Sequence, residues 1–86
     1  MKKSLKISNK HGLHARAVLQ IVEIAQKAKH GVWLSKENER ANASSALDLL
    51  TLYCPQGSMI TVEIDHTHDN EIMNEIISRI ENGFGE

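Results

Sequence analysis

His14 and Arg16 stand two residues apart in "NKHGLHARAVLQIVEIAQKA", residues 9–28, where a polar turn containing Gly12 runs into an amphipathic helical pattern. A histidine at that junction occupies the position of a helix cap. It lies beside the free N–H groups of the first turn and the positive end of the helix dipole, an arrangement that attracts anions. The imidazole is a nucleophile whose ring nitrogen can take a phosphoryl group, and the helix terminus together with the Arg16 guanidinium can hold the negative charge that arrives with it. Phosphoryl transfer asks a protein chiefly for such positioning and electrostatics. The same pair also fits a plain helix cap beside a solvated charge, and these two residues alone leave both readings open.

The other reactive side chains give less. His66 and His68 lie two apart at what reads as a strand end or turn, and His11 lies three before His14. No acidic or thiol cluster completes a ligand set with them, so the spacing assigns no metal site. Cys54 is the single cysteine. It cannot form an internal disulfide, and nothing in "LYCPQGS" supplies a base or cation to lower its pKa, so it reads as a small buried hydrophobe in a reducing, cytoplasmic setting. The opening "MKKSLKIS" lacks the apolar core of a signal peptide, and no apolar run approaches a membrane span, so no membrane insertion is expected.

The net charge is −1, from 10 Lys plus Arg against 11 Asp plus Glu, and aromatic residues make up 3%. That balance argues against a nucleic-acid partner, which would call for phosphate neutralisation and base stacking. A protein or small-molecule partner is favoured.

The elements that must position His14 can be read from periodicity. Residues 2–7 alternate as a half-buried strand with Leu5 and Ile7 on one face. From about Ala15 the apolar positions Val18, Ile21, Val22 and Ala25 follow a helical period until Gly31 ends it. Val32 and Leu34 mark a second strand with Trp33 facing away, "KENE" makes a turn, and a short third strand covers about residues 40–42. Ser45 is placed to cap a short helix, which Pro55 and Gly57 stop. Ile60, Val62 and Ile64 define a fourth strand, and Asp69 reads as the cap of a last helix whose apolar face holds Ile72, Met73, Ile76, Ile77 and Ile80.

The order is β-α-β-β-α-β-α in a single domain spanning residues 1–86. Strands with one apolar face each need a cover, so the expected fold is α+β: an open-faced two-layer sandwich with a four-stranded antiparallel sheet and all helices on one side. Leu5, Ile7, Val18, Ile21, Val22, Ala25, Val32, Leu34, Leu49, Ile60, Val62, Ile64, Ile72, Ile76 and Ile80 form its expected core. The closing "NGFGE" reads as loosely held apart from Phe84, which can dock.

"GLHAR", "NASSALDLLTL", Gly57 before a strand and the closing "GFGE" together resemble the HPr family, the histidine-containing phosphocarriers of the bacterial phosphotransferase system. The resemblance runs through essentially the whole chain in order and spacing. It implies a stoichiometric phosphoryl carrier, not an enzyme, monomeric and without a cofactor. In such proteins the motif histidine takes a phosphoryl group on Nδ1 from Enzyme I and passes it to an enzyme IIA domain, for sugar uptake or regulation. His14 matches that residue and Arg16 the arginine that steadies the phosphate. The resemblance also implies docking of these partners on apolar side chains, here Leu19, Ala46, Leu47 and Leu50. It further makes Ser45 the site of a regulatory phosphate added by an HPr kinase or read by a regulator.

The chain departs from the family pattern at several positions. Ala17 replaces the proline that usually follows the arginine; alanine is a good helix former, and no reactive atom is lost. Ser44 and Ala46 flank Ser45 where many members have a lysine and a bulky apolar residue, and a plain capping role for Ser45 stays open. Glu23, Gln26, Ser44 and Asp48 occupy positions where some members carry lysines around the docking patch, which weakens steering toward an acidic partner. A second function class also remains: an HPr-like regulatory docking module that binds partners without carrying phosphate. Such a module needs neither His14 nor Arg16, and both are present.

Overall fold

Alternating side chains and two amphipathic stripes account for the architecture of the computed structural model, which describes residues 1–86. Strand β1 is Lys2–Lys6, helix α1 Ala15–Ala25, β2 Val32–Lys36, β3 Glu39–Asn42, α2 Ala46–Thr51, β4 Met59–Ile64 and α3 Asn70–Glu81. Two 3-10 turns, Thr67–Asp69 before α3 and Gly83–Gly85 after it, complete the chain. The strands form one sheet in the order β1-β4-β2-β3, every neighbouring pair antiparallel. The helices lie on one face, giving the expected open-faced two-layer sandwich.

Register places the inward side chains in one layer. Leu5 pairs with Ile60, and Leu34 lies between Val62 and Ala41. All five are buried in one cluster with Val18, Ile21 and Val22 of α1 and Met73, Ile76, Ile77 and Ile80 of α3. Of the expected core only Ile72 departs: it packs against the core but is half-buried. Ile72 sits in the first turn of α3, at the margin of its apolar stripe. Leu13, Leu52, Cys54 and Phe84 join the core from connections, which carry no periodicity to announce them.

The open face is polar and cross-linked. Ser4 Oγ and Thr61 Oγ1 share a 2.9 Å hydrogen bond across paired strands. Trp33 faces this side as its phase requires. The Arg40 guanidinium lies 3.9 Å over its ring, and its indole N–H donates to Asp65 Oδ1 at 3.1 Å.

Two sequence expectations change here. Asp69 precedes α3 but makes no side-chain cap bond. Its buried carboxylate instead accepts the backbone N–H groups of Lys29 at 3.0 Å and His30 at 2.8 Å. The Lys29 amide foremost, with the His30 amide and the charges of His30 and His66, holds its pKa below the usual carboxylate range against the opposing effect of desolvation. As a helix cap this carboxylate would have accepted a first-turn N–H of α3. Two orphan amides at the end of the α1–β2 connection take the carboxylate instead, because they have no other acceptor inside the fold. The closing segment is tied in beyond the expected docking of Phe84: the buried Phe84 has its carbonyl accept from Gln20 Nε2 of α1 at 3.1 Å, and the Glu86 side chain also has partners in the fold.

Ile76 is fully buried at the centre of the α3 stripe. Ile76→Ala is expected to cost about 2–5 kcal/mol through lost apolar transfer and the cavity left behind, measured by urea denaturation, with the native circular dichroism spectrum retained in the absence of denaturant.

Candidate functional site

Gly12 sets the position of the site. Its φ of +63° lies in the left-handed region, and a Cβ there would press against the carbonyl oxygen of Cys54 and lie 2.8 Å from Pro55 Cα. Only glycine fits this approach without displacement. The next amide, Leu13 N–H, donates to that same Cys54 carbonyl at 2.8 Å. The turn before α1 is thereby joined to the loop after α2. Leu13 and Val18, at the two positions of a hydrophobic staple, are both buried and fix the angle at which the chain enters α1.

His14 is the N-cap of α1, with extended backbone at φ −86° and ψ 178°. Its Nδ1 accepts the backbone N–H of Arg16 at 3.3 Å, so this nitrogen faces the amides of the first turn. The side chain is 27% exposed. Arg16 is exposed on the first turn, and Ala17 is fully buried beneath it.

The second ring nitrogen has a partner that periodicity did not reveal. His14 Nε2 lies 2.6 Å from Glu86 Oε2. The same carboxylate accepts from Asn9 Nδ2 at 2.9 Å and the His11 N–H at 3.4 Å. Asn9 Nδ2 also donates to the Gly12 carbonyl at 2.7 Å, linking the tail to the turn. With Arg16 donating to Nδ1 and a carboxylate accepting from Nε2, the neutral ring is held as the Nε2–H tautomer with the Nδ1 lone pair directed at the helix start. Desolvation alone would push the Glu86 carboxyl up. The hydrogen bonds from His14, Asn9 and His11, with the charge of His11, outweigh it and hold the carboxyl below its usual range.

Next to His14 lies an apolar surface. Leu49 and Leu52 turn the inner side of α2 into the core, which leaves Leu47, 74% exposed, and Leu50, 46% exposed, facing outward. Leu19 on α1 is 60% exposed, and Tyr53, which the sequence did not single out, is 74% exposed. His11, Leu13, His14, Leu50, Tyr53 and Pro55 line a shallow concavity between the imidazole and this patch. Lys36 Nζ donates to the carbonyls of Leu52 and Tyr53, closing the C-terminal end of α2. At its other end Ser45 Oγ accepts the Asp48 N–H at 3.3 Å as a helix cap, and Ala46 is half-buried beside it. Cys54 is buried, and burial, only partly offset by the charge of Lys36, pushes its thiol pKa up. The remaining histidines form a second group, since His30 joins His66 and His68 at a different place on the surface.

A family model described as "PTS HPr component phosphorylation site" matches residues 1–82. The chain belongs to the HPr phosphocarrier family. It is 36% identical to the phosphocarrier protein HPr of Neisseria meningitidis over 86 residues, covering all of this chain and 97% of that one. It is also 32% identical to the phosphocarrier protein NPr of Escherichia coli, over all of this chain and 97% of that protein. A crystal structure of HPr from Thermoanaerobacter tengcongensis superimposes with a TM-score of 0.93 at 30% identity, covering 100% of this chain and 97% of the other. HPr proteins are phosphocarriers of the phosphotransferase system and not catalytic enzymes, and no helix of this one is long and apolar enough to cross a membrane.

The Glu86 contact makes a testable statement. A carboxyl whose folded pKa is depressed contributes stability that is fully present above the ordinary glutamate pKa of about 4.3 and is lost as pH falls through the folded value. Thermal denaturation followed from neutral to acid pH is expected to show that loss in the wild type and a smaller one in Glu86→Gln. In nitrogen-15 spectra, neutral His14 is expected as the Nε2–H tautomer, shifting toward a mixture of tautomers in Glu86→Ala.

Proposed function

We propose that Nδ1 of His14 accepts a phosphoryl group from phosphorylated Enzyme I and delivers it to an enzyme IIA domain. The observation that carries this reading is the orientation of Nδ1: a ring nitrogen at an N-cap that accepts the Arg16 N–H and faces the first-turn amides of α1 on a partly exposed side chain. In the forward step the Nδ1 lone pair attacks phosphorus as the donor's bond to phosphorus breaks, and the ring keeps its proton on Nε2, against Glu86. The resulting imidazolium stays cationic beside the Glu86 carboxylate, and the phosphoryl oxygens face the Arg16 amide, the helix dipole and the Arg16 guanidinium. The next acceptor takes the phosphoryl group by the reverse bond change, and neutral imidazole is regenerated.

Leu19, Leu47 and Leu50, with Ala46 at the margin, supply the apolar contact on which Enzyme I and IIA domains dock. The patch is contiguous with the imidazole, so the same surface serves donor and acceptor in turn. Ser45 is the position for a regulatory phosphate. Its hydroxyl lies at a helix N-terminus, which favours an anion, and Asp48 in the first turn opposes one.

Incubation with phosphoenolpyruvate and Enzyme I is expected to yield an acid-labile, base-stable adduct on the wild type and none on His14→Ala. Arg16→Ala should retain the acceptor and slow transfer by roughly 10²-fold, the scale of one lost preorganised donor. Leu47→Glu should lower transfer at least about tenfold, equivalent to ~1.4 kcal/mol, with the melting temperature unchanged. Full phosphorylation of His14→Ala would overturn the assignment and leave a docking module that carries no phosphate.

A further inference from the structure

We propose that His30, His66 and His68 form a binding site for a divalent transition-metal cation of the zinc class, at the end of α1 remote from His14. His30 belongs to the connection after α1, whereas His66 and His68 belong to the connection between β4 and α3. Their potential ligand nitrogens all lie within 4.8 Å of one another, and all three residues are exposed. The eleven residues of α1, about 16 Å of helix at 1.5 Å per residue, separate this cluster from the phosphoryl site.

The backbone around the cluster is tied down on both sides. The Asp69 carboxylate holds the Lys29 and His30 amides, and Asp65 N–H donates to the Gly31 carbonyl at 3.0 Å. His66 caps the 3-10 turn through Nδ1, which accepts the His68 N–H at 3.0 Å. These bonds bring two connections remote in sequence to one place and keep them there. The rings are stacked or tilted at centroid separations of 4.6 Å for His30 and His66, 4.1 Å for His66 and His68, and 5.7 Å for His30 and His68.

Three neutral imidazoles and one water make a four-coordinate set suited to zinc and to its borderline neighbours nickel and copper. Zinc–nitrogen bonds of about 2.0–2.1 Å put tetrahedral ligand nitrogens about 3.3 Å apart. The present spacing therefore closes by side-chain rotation alone, which exposed histidines can make. For His66, coordination through Nδ1 exchanges the hydrogen bond from the His68 amide for a metal bond and leaves the proton on Nε2. The Asp69 carboxylate adds negative charge close to His30 and His66 and offsets part of the cation's charge. A cation bound across the two connections stabilises the folded state by mass action.

The test is a titration of the whole chain with Zn²⁺, followed by calorimetry, histidine ring resonances and melting temperature. One equivalent is expected to bind, to shift the rings of His30, His66 and His68, and to raise the melting temperature reversibly with a chelator. His30→Gln and His68→Ala should each weaken binding at least about tenfold. So should His66→Asn, which keeps a side-chain acceptor for the 3-10 turn. His11→Ala should leave binding unchanged. Binding that follows His11 and His14 instead, or no saturable uptake by about 1 mM Zn²⁺, overturns the proposal. Phosphoryl acceptance by His14 serves as a separate readout and is expected to survive all three cluster substitutions.

Discussion

The close approach of the Gly12 backbone to the Cys54 carbonyl is the constraint on which the site depends. Leu13 N–H takes that carbonyl as its acceptor, and a side chain on Gly12 would push the two segments apart. The contact does two things at once. It delivers His14 to the first turn of α1 with its ring facing the orphan amides, and it holds α2 beside α1 so that outward-facing leucines border the imidazole. One backbone hydrogen bond and the absence of a side chain at Gly12 thus help to hold His14 next to the exposed leucines of α2, a segment remote from it in the chain.

Around that junction the imidazole is held from both sides. The Arg16 amide donates to Nδ1 and Glu86 accepts at Nε2. This division of labour matters because a neutral imidazole has only one lone pair to offer, and which nitrogen carries it is decided by the partner of the other. Asn9 and the His11 amide hold the Glu86 carboxylate beside the ring, and the burial of Phe84, whose carbonyl accepts from Gln20 of α1, anchors the chain just before it.

The histidines sort into two groups with different chemistry. His11 and His14 are set edge to face at 5.6 Å beside a carboxylate and a helix terminus, surroundings suited to a phosphoryl group. His30, His66 and His68 meet where the α1–β2 and β4–α3 connections adjoin, beside the Asp69 carboxylate, and present several lone pairs to one another, surroundings suited to a cation. The body of α1 separates the two groups, so charge at one is screened by solvent from charge at the other.

The sequence by itself determined the element order and the side of the sheet to be covered, because a strand with one apolar face and a helix with one apolar stripe have few ways to hide both. Ile60, Val62 and Ile64 show that face by alternation, and Val18, Ile21 and Val22 show the stripe by helical spacing. The placement of His14 at the helix cap and of Arg16 in the first turn was legible for the same local reason, because the helical period begins at about Ala15. Ser45 was legible as a cap on equal terms. The Glu86 partner of His14, the Asp69 bonds to Lys29 and His30, the half-burial of Ile72 and the meeting of His30 with His66 and His68 were decided by tertiary structure alone. Each depends on segments far apart in the chain whose mutual approach is set by packing, and packing leaves no period in the sequence to be read.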